Sequence, residues 1–231
     1  MKKLELPILI AIFLITFTGC QRQLIKEKLV KNVDEVIQNK EQRHDIINSG
    51  LLAFPGAEGY GAKSVGGREG KIIIVSNLKD SGPGSFREAA EQKGKRIIVF
   101  NVSGLIELKK DIIIDDPYIT IAGQTSTGDG VCLKNAGLQI HTHDVVIRYI
   151  CARPGDSTTI GQLPYESRRA ISIIGGHDII LDHLSVSWGI DETVTVFPWY
   201  DTPRDVTIQW SIIAEGLHKS LHPQGPHSMG L

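Results

Sequence analysis

Asp191 and Glu192 stand side by side just after Trp188, and adjacent carboxylates at a strand end can both reach one loop-side cation. The plainer reading of such a pair is a solvated turn. The stretch from His218-Lys219-Ser220-Leu221-His222 through Gly225-Pro226-His227 is dense in basic groups, with three His and one Lys. It suits an anionic ligand; its plainer reading is an exposed loop. Asp182-His183 falls inside an apolar run, where consecutive side chains point to opposite faces, so one of the two turns inward and hydrogen-bonds there. His183 is read as structural. Cys20, Cys132 and Cys151 lack the paired short spacings of a zinc site and are too few for a disulfide framework.

These groups need elements to hold them. Beyond Gly50 the apolar runs are short, rich in Ile and Val, and bounded by Gly, Asn, Asp or Pro: Lys71–Val75, Arg96–Val102, Asp111–Ile114, Tyr118–Ala122, Leu138–His141, Val145–Ile150, Ala170–Ile174, Asp178–Leu184, Thr193–Phe197 and Asp205–Ile213. Only Ser85–Gln92 reads as helix, with Ser85 as N-cap and Glu88 at the third helical position. The crossover helices of an α/β sheet are missing, so the class is all-β. Comparable runs recur at rung-like intervals: 22 residues from Ile97 to Ile119, 19 from Ile119 to Leu138, 34 from Val145 to Ile179, 27 from Ile179 to Val206. The long interval holds a polar excursion, Pro154–Arg168. Asn-Gly hairpin signals are absent. A right-handed, single-stranded parallel β-helix fits best, with an antiparallel sandwich as the alternative. Cys132 and Cys151 are then small inward residues, or else a disulfide between neighbouring coils.

The net charge of −1, from 25 Lys+Arg against 26 Asp+Glu, leaves no basic excess for nucleic-acid binding. Met1-Lys2-Lys3, the apolar run from Leu6 to Phe17 and Gly19-Cys20 read as a lipoprotein-type signal over residues 1–19, with Cys20 lipidated. The chain is therefore expected at an outer or cell-surface membrane, held by its lipid, with simple secretion as the alternative. Residues 20–49 read as a tether with a short amphipathic helix on Ile25, Leu29, Val33, Val36 and Ile37. The domain proper is residues 50–231, expected to be a monomer.

Within that domain, Ala53-Phe54-Pro55-Gly56-Ala57-Glu58-Gly59-Tyr60-Gly61 with Gly66-Gly67-Arg68 resembles the domain opening of bacterial pectate lyases, polysaccharide lyase family 1. Gly82-Pro83-Gly84-Ser85-Phe86-Arg87 resembles a second landmark of that family. Ile119–Thr125, Arg153-Pro154-Gly155-Asp156 and Asp178–Trp188 resemble its central coils, in family order. The resemblance implies a β-helical enzyme that cleaves polygalacturonate, an acidic polysaccharide, by Ca²⁺-assisted β-elimination. It places calcium-binding carboxylates at Asp191 and Glu192. Relatives carry a further acid just before the Ala-Ile of the preceding coil, whereas here Arg168-Arg169 precede Ala170-Ile171, leaving Glu166 and Asp156 as the nearest acids. An arginine there could pair directly with a uronate carboxylate and reduce the need for the ion. Lys219 matches the family's substrate-binding lysine, with Arg169, His218 and His222 as neighbouring contacts. The family's proton-abstracting arginine lies on a coil after the His-rich loop, and no residue here is matched to that role. The expectation is thus a lyase whose C-terminal part is lacking, with a polyuronate-binding module or a structural cell-surface β-helix as the alternatives.

Overall fold

A computed structural model describes residues 23, 26–38, 50–157 and 168–231. The signal segment, Cys20, Ile25 and Glu166 lie outside the described residues. The chain divides into two compact units, Met1–Gly50 and Leu51–Leu231. In the first, residues 26–38 form a helix (α1) whose residues are all exposed, Leu29, Val33, Val36 and Ile37 included. Among the described residues no helix is long and apolar enough to cross a membrane.

The second unit is a parallel β-helix of about five coils, as the runs of Ile and Val imply. Its strands are β1 (Lys71–Val75), β2 (Arg96–Phe100), β3 (Gly104–Glu107), β4 (Ile112–Ile114), β5 (Ile119–Ala122), β6 (Val131–Lys134), β7 (Leu138–Ile140), β8 (Val145–Arg148), β9 (Ile150–Arg153), β10 (Ile171–Ile173), β11 (His177–Asp182), β12 (Ser185–Ser187), β13 (Val194–Val196), β14 (Arg204–Gln209) and β15 (Ile212–Ala214). They stack into three sheets, β1-β2-β5-β8-β11-β14, β3-β6-β9-β12-β15 and β4-β7-β10-β13, every pairing parallel. Alternation sends one set of side chains inward on each face. In register these form ladders: Ile98, Ile121, Ile147, Leu181 and Ile208 on the first sheet; Ile106, Leu133, Ala152, Val186 and Ile213 on the second; Ile112, Leu138, Ile171 and Val194 on the third. Most are fully buried, and each fully buried Ile, Leu or Val contributes about 1.5–3 kcal/mol by leaving water.

The rung intervals are partly corrected. Val145 pairs with Ile179 and Ile179 with Val206, at the separations of 34 and 27 expected. Ile119 pairs with Val145 rather than Leu138, which belongs to a different sheet beside Ile112. Several expected strands also end early or split. Tyr149, His183 and Trp210 sit at φ of 54°, 53° and 49° between β8 and β9, β11 and β12, and β14 and β15. Non-glycine residues enter this left-handed region at a cost, and here one such residue turns each coil sharply. A second column of left-handed residues, Asp144, Asp178 and Asp205, adjoins His143, His177 and Arg204, each pairing with its neighbouring aspartate at 2.7–2.8 Å.

One end of the helix is closed by α2 (Phe86–Ala90). Ser85 caps it as expected, its hydroxyl accepting from the Glu88 N–H at 3.2 Å, while Glu88 reaches back to the Gly84 N–H at 2.7 Å. Phe86 packs on Phe100, and Arg87 joins Asp80 to the carbonyls of Lys110 and Asp111. The segment from Ala53 to Gly67 lies across the outer face of the first sheet. Gly61 N–H donates to Thr207 Oγ1 and Gly67 N–H to Thr120 Oγ1, each at close range. A Cβ at either glycine would strike a strand carbonyl, that of Ile179 or Arg96. Glycine is needed because backbone meets backbone.

Candidate functional site

Neither Asp182 nor His183 turns into the helix interior as expected, because Asp182 lies with Ile180 on the outer face of the first sheet, opposite the core residue Leu181, and the Ala53–Gly67 segment covers it. Asp182 is fully buried and accepts from Arg148 Nε and Gln209 Nε2, each at 2.7 Å, its partners on the coils before and after. Burial pushes its carboxyl up, but hydrogen bonds from Arg148, Gln209 and His183 more than offset this and hold it below the usual carboxylate range. His183 faces outward, stacked on Tyr149 with ring centroids 4.6 Å apart, and reaches back to Asp182 at 2.9 Å. The pair ties three coils together.

Chemistry gathers where the chain passes from the second sheet to the third. In lower coils this passage is short, three residues between Lys134 and Leu138, and further along the chain it is longer but uneven: 17 residues over Pro154–Ala170, six over Trp188–Thr193 and 15 over Glu215–Met229. Register brings the described ends of these passages alongside one another. Ile171 pairs with Val194, so Arg169 stands beside Glu192, and Glu192 in turn pairs with Met229. Met229 N–H donates to the Asp191 carbonyl and Thr193 N–H to the Met229 carbonyl.

Arg169 is the centre of the cluster. Its guanidinium donates through Nη2 to Asp191 Oδ2 and through Nε to Glu192 Oε2. His227 Nε2 meets the other Asp191 oxygen at 3.0 Å, and the His222 and His227 rings stack in parallel at 4.2 Å. Asp191, His222 and His227 bring three ligand-type atoms within 4.8 Å of one another. His222 Nδ1 already accepts from the Gln224 N–H at 3.3 Å. Thr193, next to Glu192, is fully buried with its hydroxyl unpartnered. Arg168 is buried and donates to the Gly155 carbonyl, while His218 and Lys219 are exposed on the surrounding loop.

The residues anticipated from sequence therefore split. Asp191, Glu192, Arg169 and His222 come together; His218 and Lys219 border them at the surface. His227 was noted only as part of the basic stretch, and its contact with Asp191 depends on a loop return that no local pattern encodes. Arg169, expected to face a uronate, is taken by the protein's own carboxylates. This donor set does not fit calcium. Ca²⁺ takes six to eight oxygens, whereas both Asp191 oxygens are already engaged, one by a guanidinium and one by an imidazole. A cleft of about 460 Å³ opens nearby on the second sheet, bordered by Leu105, Lys134, Arg153, Pro154, Asp156 and Trp188.

A parallel β-helix carrying a charged cluster on the connections between its second and third sheets defines the class. Its fold is shared with the crystal structure of Jun a 1, the major cedar pollen allergen, at a TM-score of 0.54 and 23% identity over 65% of this chain and 46% of that one. In sequence the chain is similar to "Probable pectate lyase C" of Aspergillus flavus, 46% identical over 170 residues, covering 73% of this chain and 38% of that protein. The protein of the same name from Emericella nidulans is 43% identical over 168 residues, covering 72% and 37%. A plant relative described as a pectate lyase, from Arabidopsis thaliana, is 32% identical over 147 residues, covering 57% and 35%. These relatives are fungal and plant proteins, and the chain spans about two fifths or less of their length. No family model matches the chain.

Proposed function

We propose that this chain serves a polysaccharide lyase of the pectate lyase kind, supplying the helix face and loop cluster that bind polygalacturonate for β-elimination. The observation that carries this reading is the 46% identity to the Aspergillus flavus protein across 73% of the chain. The loop cluster supports it. Lys219 and His218 are exposed where an anionic sugar could reach them, and the half-buried Arg169–Asp191–Glu192 group, with Asp191 buried at its base, stiffens the floor beneath. Elimination needs charge stabilisation of the enolate-like species that forms when the proton α to the uronate carboxyl is removed. In this reading exposed cations of the chain contact uronate carboxylates, and Arg169 supplies to Asp191 and Glu192 the positive charge that the sequence assigned to calcium. A second reading, a polyuronate-binding β-helix without catalysis, draws on that same pairing, since carboxylates held by an arginine are not offered to an ion or a substrate. Lipid anchoring through Cys20 and export belong to the proposal in both readings.

Binding to polygalacturonate, followed by affinity electrophoresis with and without a calcium chelator, tests the shared part. Retention at low salt, lost as salt rises and weakened about threefold or more by Lys219→Ala, is the expected result. No retention at low salt would overturn both readings. Ultraviolet absorbance of unsaturated uronides then separates them: its appearance marks a lyase, its absence with binding intact marks the module.

A further inference from the structure

Cys132 and Cys151 are free thiols on the outer face of the second sheet, not the inward residues that the sequence suggested. Their neighbours Val131, Leu133, Ile150 and Ala152 take the core positions, and alternation turns both cysteines outward. They are direct register partners on adjacent coils. In-register residues of neighbouring strands stand about 4.7–4.9 Å apart at Cα, inside the span of roughly 4.4–6.8 Å that a disulfide bridges. Both are half-buried, and Cys151 also lines an open cleft of about 420 Å³ with Tyr149, His183, Ser185, Gln124 and Ser126.

We propose that Cys132 and Cys151 form a redox-active thiol pair, in which Cys151 reacts with small-molecule disulfides and Cys132 completes a bond between the two coils. The Cys151 thiolate attacks one sulfur of the disulfide RSSR, forming Cys151–S–SR and releasing one RS⁻. Cys132 then loses its proton and attacks the Cys151 sulfur, closing Cys132–S–S–Cys151 and releasing the second RS⁻. The protein dithiol is oxidised by two electrons and RSSR is reduced to two RSH. The division of labour has a physical basis. A hydrogen bond from the Cys132 thiol, opposed by burial and aided by the Arg153 guanidinium, lowers Cys151 to about 7, while the same coupling pushes Cys132 upward. Cys151 is the thiol that opens onto the cleft, and Cys132 is the only other cysteine in the β-helical unit.

The test uses the full chain carrying Cys20→Ser, so that these two thiols alone remain. With oxidised glutathione at neutral pH, intact-mass and thiol titration should show both thiols lost, no glutathione retained, and a Cys132–Cys151 peptide link. Adding Cys132→Ser should trap one glutathione on Cys151. Adding Cys151→Ser instead should slow the reaction about tenfold or more. Two retained glutathiones without an internal bond, equal rates for the two single-thiol proteins, or no reaction at all would each overturn the proposal. None of these readouts depends on polysaccharide binding or cleavage.

Discussion

Asp182 keeps a charge fully out of water because three neighbours point hydrogen at it. Removing it by Asp182→Ala leaves Arg148 without its ion partner and should cost about 3–5 kcal/mol, read as a lower urea midpoint. The sign of its pH dependence follows from its direction of shift. A carboxyl held below its unfolded value of about 3.9 contributes stability that is complete well above that value and is lost as pH falls through the folded one. Stability should thus decline below about pH 4, and Asp182→Asn should flatten that acid limb. Arg169 offers a different test. Wild-type melting should ignore calcium, whereas Arg169→Ala frees two adjacent carboxylates and should gain calcium-dependent stabilisation, about 2.7 kcal/mol at a hundredfold excess over Kd. Melting of the wild type that rises with calcium would return the ion to the site. At this scale the sequence was informative only in part: it required one of Asp182 and His183 to turn inward, whereas Asp182 is buried with Ile180 on the outer face of the first sheet, opposite the core residue Leu181 and beneath the Ala53–Gly67 segment. Alternation was available for Cys132 and Cys151 too, since each is flanked by two apolar residues. Hydrophobicity argued the other way, and the flanking pattern won.

Among the elements, the Ala53–Gly67 segment depends on glycine where it touches the first sheet. Gly61→Ala should lift it from the Ile179 carbonyl and cost on the order of 1–3 kcal/mol, the range for forced overpacking; faster proteolysis within residues 53–67 would report the release. Ser85→Ala should cost about 1 kcal/mol through loss of the α2 cap. The cap was visible beforehand because it is local, a hydroxyl and a Glu three residues apart. Strand ends were not, because a coil corner here is a single residue in left-handed backbone, and two of the three, Tyr149 and Trp210, are types that propensity assigns to strands. β3, β6 and β12 escaped notice for a related reason. Each is three or four residues long and shows only half of its apolar pattern.

For the β-helical unit, three ladders of aliphatic side chains make each coil the floor of the next, so cohesion is a sum of neighbour contacts. The recurrence of apolar runs was sufficient to choose a solenoid over a sandwich. The individual spacings were not, because one coil contributes three strands and a run can be mistaken for its counterpart on another face, as Leu138 was for a partner of Ile119. The charged cluster was legible only in part for a similar reason: Arg169, Glu192 and Met229 meet through register rather than through proximity in the chain.

The uneven corners carry a consequence for how such a chain tolerates change in length. Between β8 and β9, or β11 and β12, the turn is one or two residues, and one added there would displace every inward side chain downstream by half a strand repeat. Between the second and third sheets the passage already varies from Lys134–Leu138 to Glu215–Met229 with the ladders undisturbed. Insertion scanning should therefore find its most permissive edge here, the same edge that bears Asp191, Glu192 and His227. New residues can accumulate there without renegotiating the core.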